Sequence, residues 1–130
     1  MELLNVIVAA IAGFAVGAVW YGGLSGHWVD AVGMEVDANG KPVGGSPTPM
    51  IVCLVAMLVV AGLMRHLFQS SGIGTAGSGL IAGFGIGAFF ITPWIAMNNA
   101  FGKRPVKLTL IDGGYATIGC AVIGLVLTLF

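Results

Sequence analysis

Charge is what this sequence has least of. Its 130 residues include five Lys and Arg and five Asp and Glu, 8% of the chain. A soluble domain carries about a quarter of its residues charged, so this chain could not cover a surface in water. The net charge is zero, and no basic field points to nucleic acid. Cysteine is equally sparse. Cys53 and Cys120 both lie inside apolar runs and read as buried free thiols, with no disulfide framework and no metal knuckle. Catalytic constellations are missing too: there is no Ser-His-Asp set, no HExxH, no pair of carboxylates at working distance and no lipid-phosphate motif. The chain therefore reads as a non-enzyme without cofactor or metal.

What remains is oil. Hydrophobic residues make up 58% of the chain and the mean hydropathy is +1.03, which marks an all-α integral membrane protein with a lipid bilayer as its partner. Four runs are long enough to cross a bilayer core, which takes about 20 residues. Their bounds are 3–24, 50–69, 76–98 and 107–130, with a polar loop over 25–49. The first follows Met1-Glu2, an acid where a signal peptide would carry Lys or Arg, and is expected to be a retained span rather than a cleaved leader. The whole chain is expected to form one four-helix transmembrane domain.

Small residues recur every fourth position in two of these runs. Ala9, Gly13 and Gly17 share a face of the first span, and Gly79, Gly83 and Gly87 form a GxxxGxxxG stripe in the third. Such stripes let another backbone come close, the usual adhesive between helices in lipid. The third run contains Thr92-Pro93, which predicts a kink because proline removes a donor and clashes with the preceding turn. Residues 12–20 match residues 82–90 at an offset of 70, five of nine being identical. A duplication of two helices, giving a parallel repeat, is one reading of this match, and chance in a narrow alphabet is the other.

The polar loop centres on Asn39-Gly40, a type I′ hairpin signal with Pro42 limiting its pairing. His27 and Asp30 stand three apart, but two ligands do not make a metal site. Ser46-Pro47-Thr48-Pro49 starts the second span, with Thr48 as N-cap and Pro49 at the first helical position.

Four crossings put both ends of the chain on one side. Lys41, Lys103, Arg104 and Lys107 fall on the other, against Arg65 alone with the termini. The positive-inside rule then places the termini outside the cytoplasm of an inner (cell) membrane. Asp112 is the one carboxylate within a span, five residues in, about 7–8 Å below the helix start. Arg65 is about 15 residues, or roughly 22 Å, from the basic side. A direct Arg65–Asp112 bridge is therefore not expected, and Arg65 should snorkel to its own interface. Asp112 should instead pair with Arg104, Lys103 or Lys107, or with the amides of Asn98 and Asn99. Trp20, Tyr21, His27 and Tyr115 fall in the same layer and complete a candidate polar site.

The pattern Trp20-Tyr21, Trp28, Asn99, Phe101, Arg104, Lys107-Leu108, Ile111, Gly114-Tyr115 resembles a family of small bacterial integral membrane proteins catalogued as domain of unknown function 1761. Members typically follow the Trp-Tyr pair with Ser-Pro and place Phe-Gly-Lys ahead of the second Trp, where this chain has Gly22-Gly23-Leu24-Ser25-Gly26-His27. The resemblance implies four transmembrane helices and assigns no activity. Two functions stay open. The first is a non-catalytic helix-packing or accessory protein, homo-oligomeric through its glycine stripes. The second is a transporter or channel for a small solute or ion, with Asp112 as its coupling carboxylate.

Overall fold

The computed structural model of the chain describes residues 2–130 and is all-helical apart from one isolated bridge. Helix α1 spans Glu2–Gly23, α2 Ser25–Val32, α3 Thr48–Ser71, α4 Ala76–Phe101 and α5 Val106–Leu127. All but α2 are long and apolar enough to cross a membrane. Their outer faces carry side chains that water would not tolerate, such as Val19, Ile81, Phe89 and Leu110, each more than two-thirds exposed. Exposed apolar surface of this extent fits lipid rather than solvent.

Four helices of membrane length lie along the four apolar runs, and the segment 25–49 read as a polar loop is helical in part. Its first eight residues form α2, which ends on Gly33 in the left-handed conformation at φ 76°. Two helical turns are too short to show as an apolar run of membrane length. The Asn-Gly signal does produce a hairpin, but only Gly40 has positive φ. The Gly40 amide donates to the Asp37 carbonyl and the Asp37 amide to the Lys41 carbonyl. This is a type I turn closed by a left-handed glycine, because a type I′ turn would need Asn39 at positive φ as well. Helix α3 begins at Thr48 itself, with Pro47 as its cap residue and no side-chain cap.

Helix α4 bends without breaking. Residues Ile86–Ile91 form a π-helical turn immediately before Thr92-Pro93. One extra residue in the turn relieves the clash of the proline ring with the carbonyl four residues back. The Thr92 hydroxyl donates to the Gly87 carbonyl at 2.7 Å, and it lies 3.2 Å from the Gly113 carbonyl of α5. The predicted kink is thus a wide turn sealed by a hydroxyl.

Helix α5 is the axis of the packing. Some 44% of its apolar window is buried, against 28, 17 and 11% for α1, α3 and α4. The other three spans lean on it unequally. They form a curved row in the order α3, α1, α5, α4, with α3 also touching α5 and making no extended contact with α4. Both glycine stripes face α5 from opposite sides. A Cβ on Gly13 would sit 2.7 Å from Ile123, and one on Gly17 would sit 2.8 Å from the Tyr115 hydroxyl. On α4, a Cβ at Gly79, Gly83 or Gly87 would strike the backbone of Gly124, Cys120 or Ala116. The stripes therefore serve packing within one subunit, which removes the basis for self-association through them. They also meet different kinds of neighbour, side chains for α1 and backbone for α4. The matched segments 12–20 and 82–90 thus do not occupy equivalent environments, as a closed parallel repeat would require.

Backbone cannot step aside as a flexible side chain can. Gly83→Ala is expected to lower stability by about 1–3 kcal/mol, the usual range for overpacking. Gly77→Ala, on the same helix with open space around it, should be neutral or raise stability slightly. Thermal unfolding of the detergent-solubilised protein checks the pair, and equal losses at both positions would contradict this packing.

Candidate functional site

Two polar centres lie at opposite ends of the bundle. The first forms where the chain termini meet. Asn5, 1% exposed, donates from Nδ2 to the carbonyl of Phe130 at 3.0 Å and lies 3.4 Å from that of Leu127. Its Oδ1 accepts from the Arg65 guanidinium. Arg65 also reaches the exposed Glu2 carboxylate at 3.8 Å, while its Nε is buried without a partner. Arg65 is therefore tied into a buried junction of α1, α3 and the end of α5, and does not simply snorkel. As the separation along the helices requires, it is not the partner of Asp112.

The second centre surrounds Asp112, one residue deeper in its helix than expected because α5 starts at Val106. The Tyr21 hydroxyl donates to Asp112 Oδ1 at 2.6 Å. Tyr21 in turn meets Tyr115 edge to face at a centroid distance of 5.4 Å, and Trp28 of α2 at 6.2 Å. Tyr115 donates to the Gly13 carbonyl at 2.9 Å, across the gap that Gly17 leaves open. Trp20 Nε1 donates to the Ile111 carbonyl at 2.9 Å, with its ring over Gly114. Trp20 and Tyr115 each fill a space made by a glycine and spend their polar atom on a carbonyl of the facing helix.

The expected partners of Asp112 are engaged elsewhere. Lys107 Nζ pairs with Asp30 of α2 at 3.2 Å, and Arg104 donates to the Val32 carbonyl at 2.7 Å. The latter places a cation at the C-terminal end of α2, where the exposed carbonyls favour it. Asn99 donates to Thr109 at 3.0 Å. Asn98, Lys103 and His27 are exposed, and no hydrogen bond from their side chains appears among the described residues. The basic rim clamps α2 over the end of the bundle instead of neutralising the carboxylate. The polar layer divides accordingly, with Tyr21, Asp112, Tyr115 and Trp20 inside and the remainder outside.

A groove opens along the seam that α3 and α4 leave between them. It has a volume of about 390 Å³, with Met57 of α3 and Ile95 of α4 on its walls and Asp112, Tyr115 and Cys120 along its floor. A second hollow of about 550 Å³ lies across the tyrosine pair, between α1, α2 and α3, bordered by Trp28 and Cys53. Asp112 is half-buried, and among the described residues no side chain donates to its second oxygen. The two ion pairs among those residues are Arg65–Glu2 and Lys107–Asp30. An intramembrane carboxylate thus faces an apolar groove with a phenol on one side and no basic partner.

Sequence reasoning missed Asn5 and the receiving glycines of α5, Gly113, Gly114 and Gly124, the Asn5 contact of Arg65, and the hydroxyl contacts of Thr92. The α5 glycines could have been found by their density: four glycines stand between positions 113 and 124. Replacing Asn5 by Leu leaves the Arg65 guanidinium without its buried acceptor. It should cost about 1.5–3 kcal/mol, as for hydrogen bonds to charged groups. Lys107→Ala at the exposed pair should cost less than about 1 kcal/mol. Chemical or thermal unfolding in detergent distinguishes the two, and a larger loss at Lys107 would reverse the assignment.

No curated protein and no solved structure matches the chain. A family described as protein of unknown function (DUF1761) matches it over residues 4–128. Aromatic pair, glycine-lined bundle and intramembrane carboxylate all fall within that match, and the chain belongs to this family.

Proposed function

We propose that this is a non-enzymatic membrane protein that binds a small solute or ion in the α3–α4 groove and carries it across the bilayer. The observation that supports this reading is the state of Asp112. A carboxylate held at depth costs about 2.5–3.5 kcal/mol unless it is compensated, and the four cations on its side of the membrane are placed elsewhere or point to α2. Side chains retained at such cost are usually functional. The groove is of the size that holds small ligands, about 300–1,000 Å³. Its lining of phenols and aliphatic groups, with no second carboxylate or imidazole among the described residues, suits binding rather than bond-breaking chemistry.

The second reading is a helix-packing accessory protein. The internal use of both glycine stripes weakens it, because those surfaces are covered. In its favour stands the exposed aromatic face of α4, where Phe89, Phe90 and Trp94 are 76, 71 and 64% accessible. Such a face could meet a partner helix, or a second copy, as readily as lipid.

In this reading the end bearing Lys41, Lys103, Arg104 and Lys107 faces the cytoplasm of the cell membrane, and both termini lie outside. A C-terminal alkaline phosphatase fusion should be active and a C-terminal green fluorescent protein dark. The reverse pattern would invert the orientation.

Flux tests the function itself. Proteoliposomes should pass protons or monovalent cations above protein-free vesicles, and Asp112→Asn should reduce the flux at least tenfold with the melting temperature held. Absence of flux in both proteins, with Asp112→Asn lowering the melting temperature or shifting oligomeric state, would favour the packing role.

A further inference from the structure

The walls and floor of the α3–α4 groove differ sharply in chemistry. Met57, Val60, Ile91 and Ile95 offer an apolar surface continuous with the bilayer interior, whereas Asp112 brings a single carboxyl group to the floor. Around that carboxyl group stand aromatic rings. Tyr21 and Tyr115 both border the groove, and Trp28 extends the aromatic cluster into the adjoining hollow. Aromatic faces attract cations, the more so where water is excluded. The Tyr21 hydroxyl occupies one carboxylate oxygen and leaves the other without a donor from the described residues. Among the described residues, no positive charge lines the groove.

From this juxtaposition we infer that the groove binds a lipophilic organic cation, a compact positive centre carrying several apolar or aromatic substituents. This rests on the reading of the groove as a solute site and names its ligand class. The charge would lie against the free oxygen of Asp112 and the rings of Tyr21 and Tyr115, with the substituents on the α3 and α4 walls. An inorganic cation would use the carboxylate but waste the walls, since the groove offers few further oxygen ligands. A neutral hydrocarbon would use the walls but leave the carboxylate uncompensated. A zwitterionic lipid is disfavoured by depth. Asp112 lies six residues into α5, about 9 Å below the helix start, so an ammonium headgroup reaching it would draw its own phosphate down beside a carboxylate. Entry needs no opening of the bundle, because α3 and α4 make no extended contact along the seam.

The test uses the full chain in phosphatidylcholine nanodiscs and equilibrium dialysis of radiolabelled tetraphenylphosphonium. The expected result is saturable binding of one cation per chain, weakened at least tenfold by Asp112→Asn and restored within threefold by Asp112→Glu. Tetraphenylborate, equal in shape and opposite in charge, should not compete. Competition by the borate equal to that by unlabelled cation would overturn the inference, leaving a generic apolar groove. So would displacement of the probe when phosphatidylethanolamine replaces part of the lipid, which would assign the site to a lipid amine. Absence of binding alongside an Asp112-dependent flux of protons or alkali cations would overturn the ligand class while the solute-site reading stands. Absence of both would remove the two together.

Discussion

The approach of α4 to α5 is the constraint on which the rest of this bundle depends. At Gly79, Gly83 and Gly87 there is no room for a single methyl group, because the facing atoms are backbone of Gly124, Cys120 and Ala116. In lipid no hydrophobic force holds helices together, so close van der Waals contact of this kind carries the association. It fixes the depth of α5 relative to α4 and, through Thr92 and the Gly113 carbonyl, the level of the π-helical turn. On the other face of α5, Gly13 and Gly17 admit Ile123 and Tyr115. Asp112 is thereby placed against Tyr21. A small shift along the α5 axis would break the phenol–carboxylate contact and the Trp20–Ile111 contact together.

Polar groups follow the same economy at both ends, with different outcomes. At the terminal end, Arg65 meets Asn5 and Glu2, and Asn5 meets carbonyls at the C-terminal end of α5, where a helix leaves acceptors unpaired. That junction closes the bundle. At the other end the basic side chains turn outward to hold α2, and the carboxylate is left facing a groove. A protein that only needed to fix helix register would gain more from pairing Asp112 with Lys107 or Arg104, which lie within two turns of it or just beyond its helix. The outward placement of those cations is what gives the groove its chemical character.

The four spans and the rough level of Asp112 were legible because apolar length and helical rise are one-dimensional quantities. The separation of Arg65 from Asp112 followed from the same rise. Contacts that depend on which helices are neighbours were not legible. The stripe Gly79-Gly83-Gly87 announces a close approach but cannot name its partner, and it looked equally suited to a second subunit. Helical rise places Tyr21 in the same layer as Asp112 but does not pair the two. Its hydroxyl becomes the carboxylate's donor only once α1 is known to lie beside α5. Asn5 lies near the start of the first span, and only the convergence of three helix ends buries it. Helix α2 was not legible because two amphipathic turns in a polar segment carry too little pattern.

The proposed solute site requires Asp112 to be reachable from the bilayer interior and, among the described residues, unpaired with any base. A hydrophobic carbodiimide, which enters lipid and captures carboxyl groups there, reads this directly when followed by peptide mass spectrometry. A single adduct within the spans, at Asp112 and absent from Asp112→Asn, is the predicted result. Modification confined to Glu2, Asp30, Glu35 and Asp37, all outside the apolar interior, would contradict it.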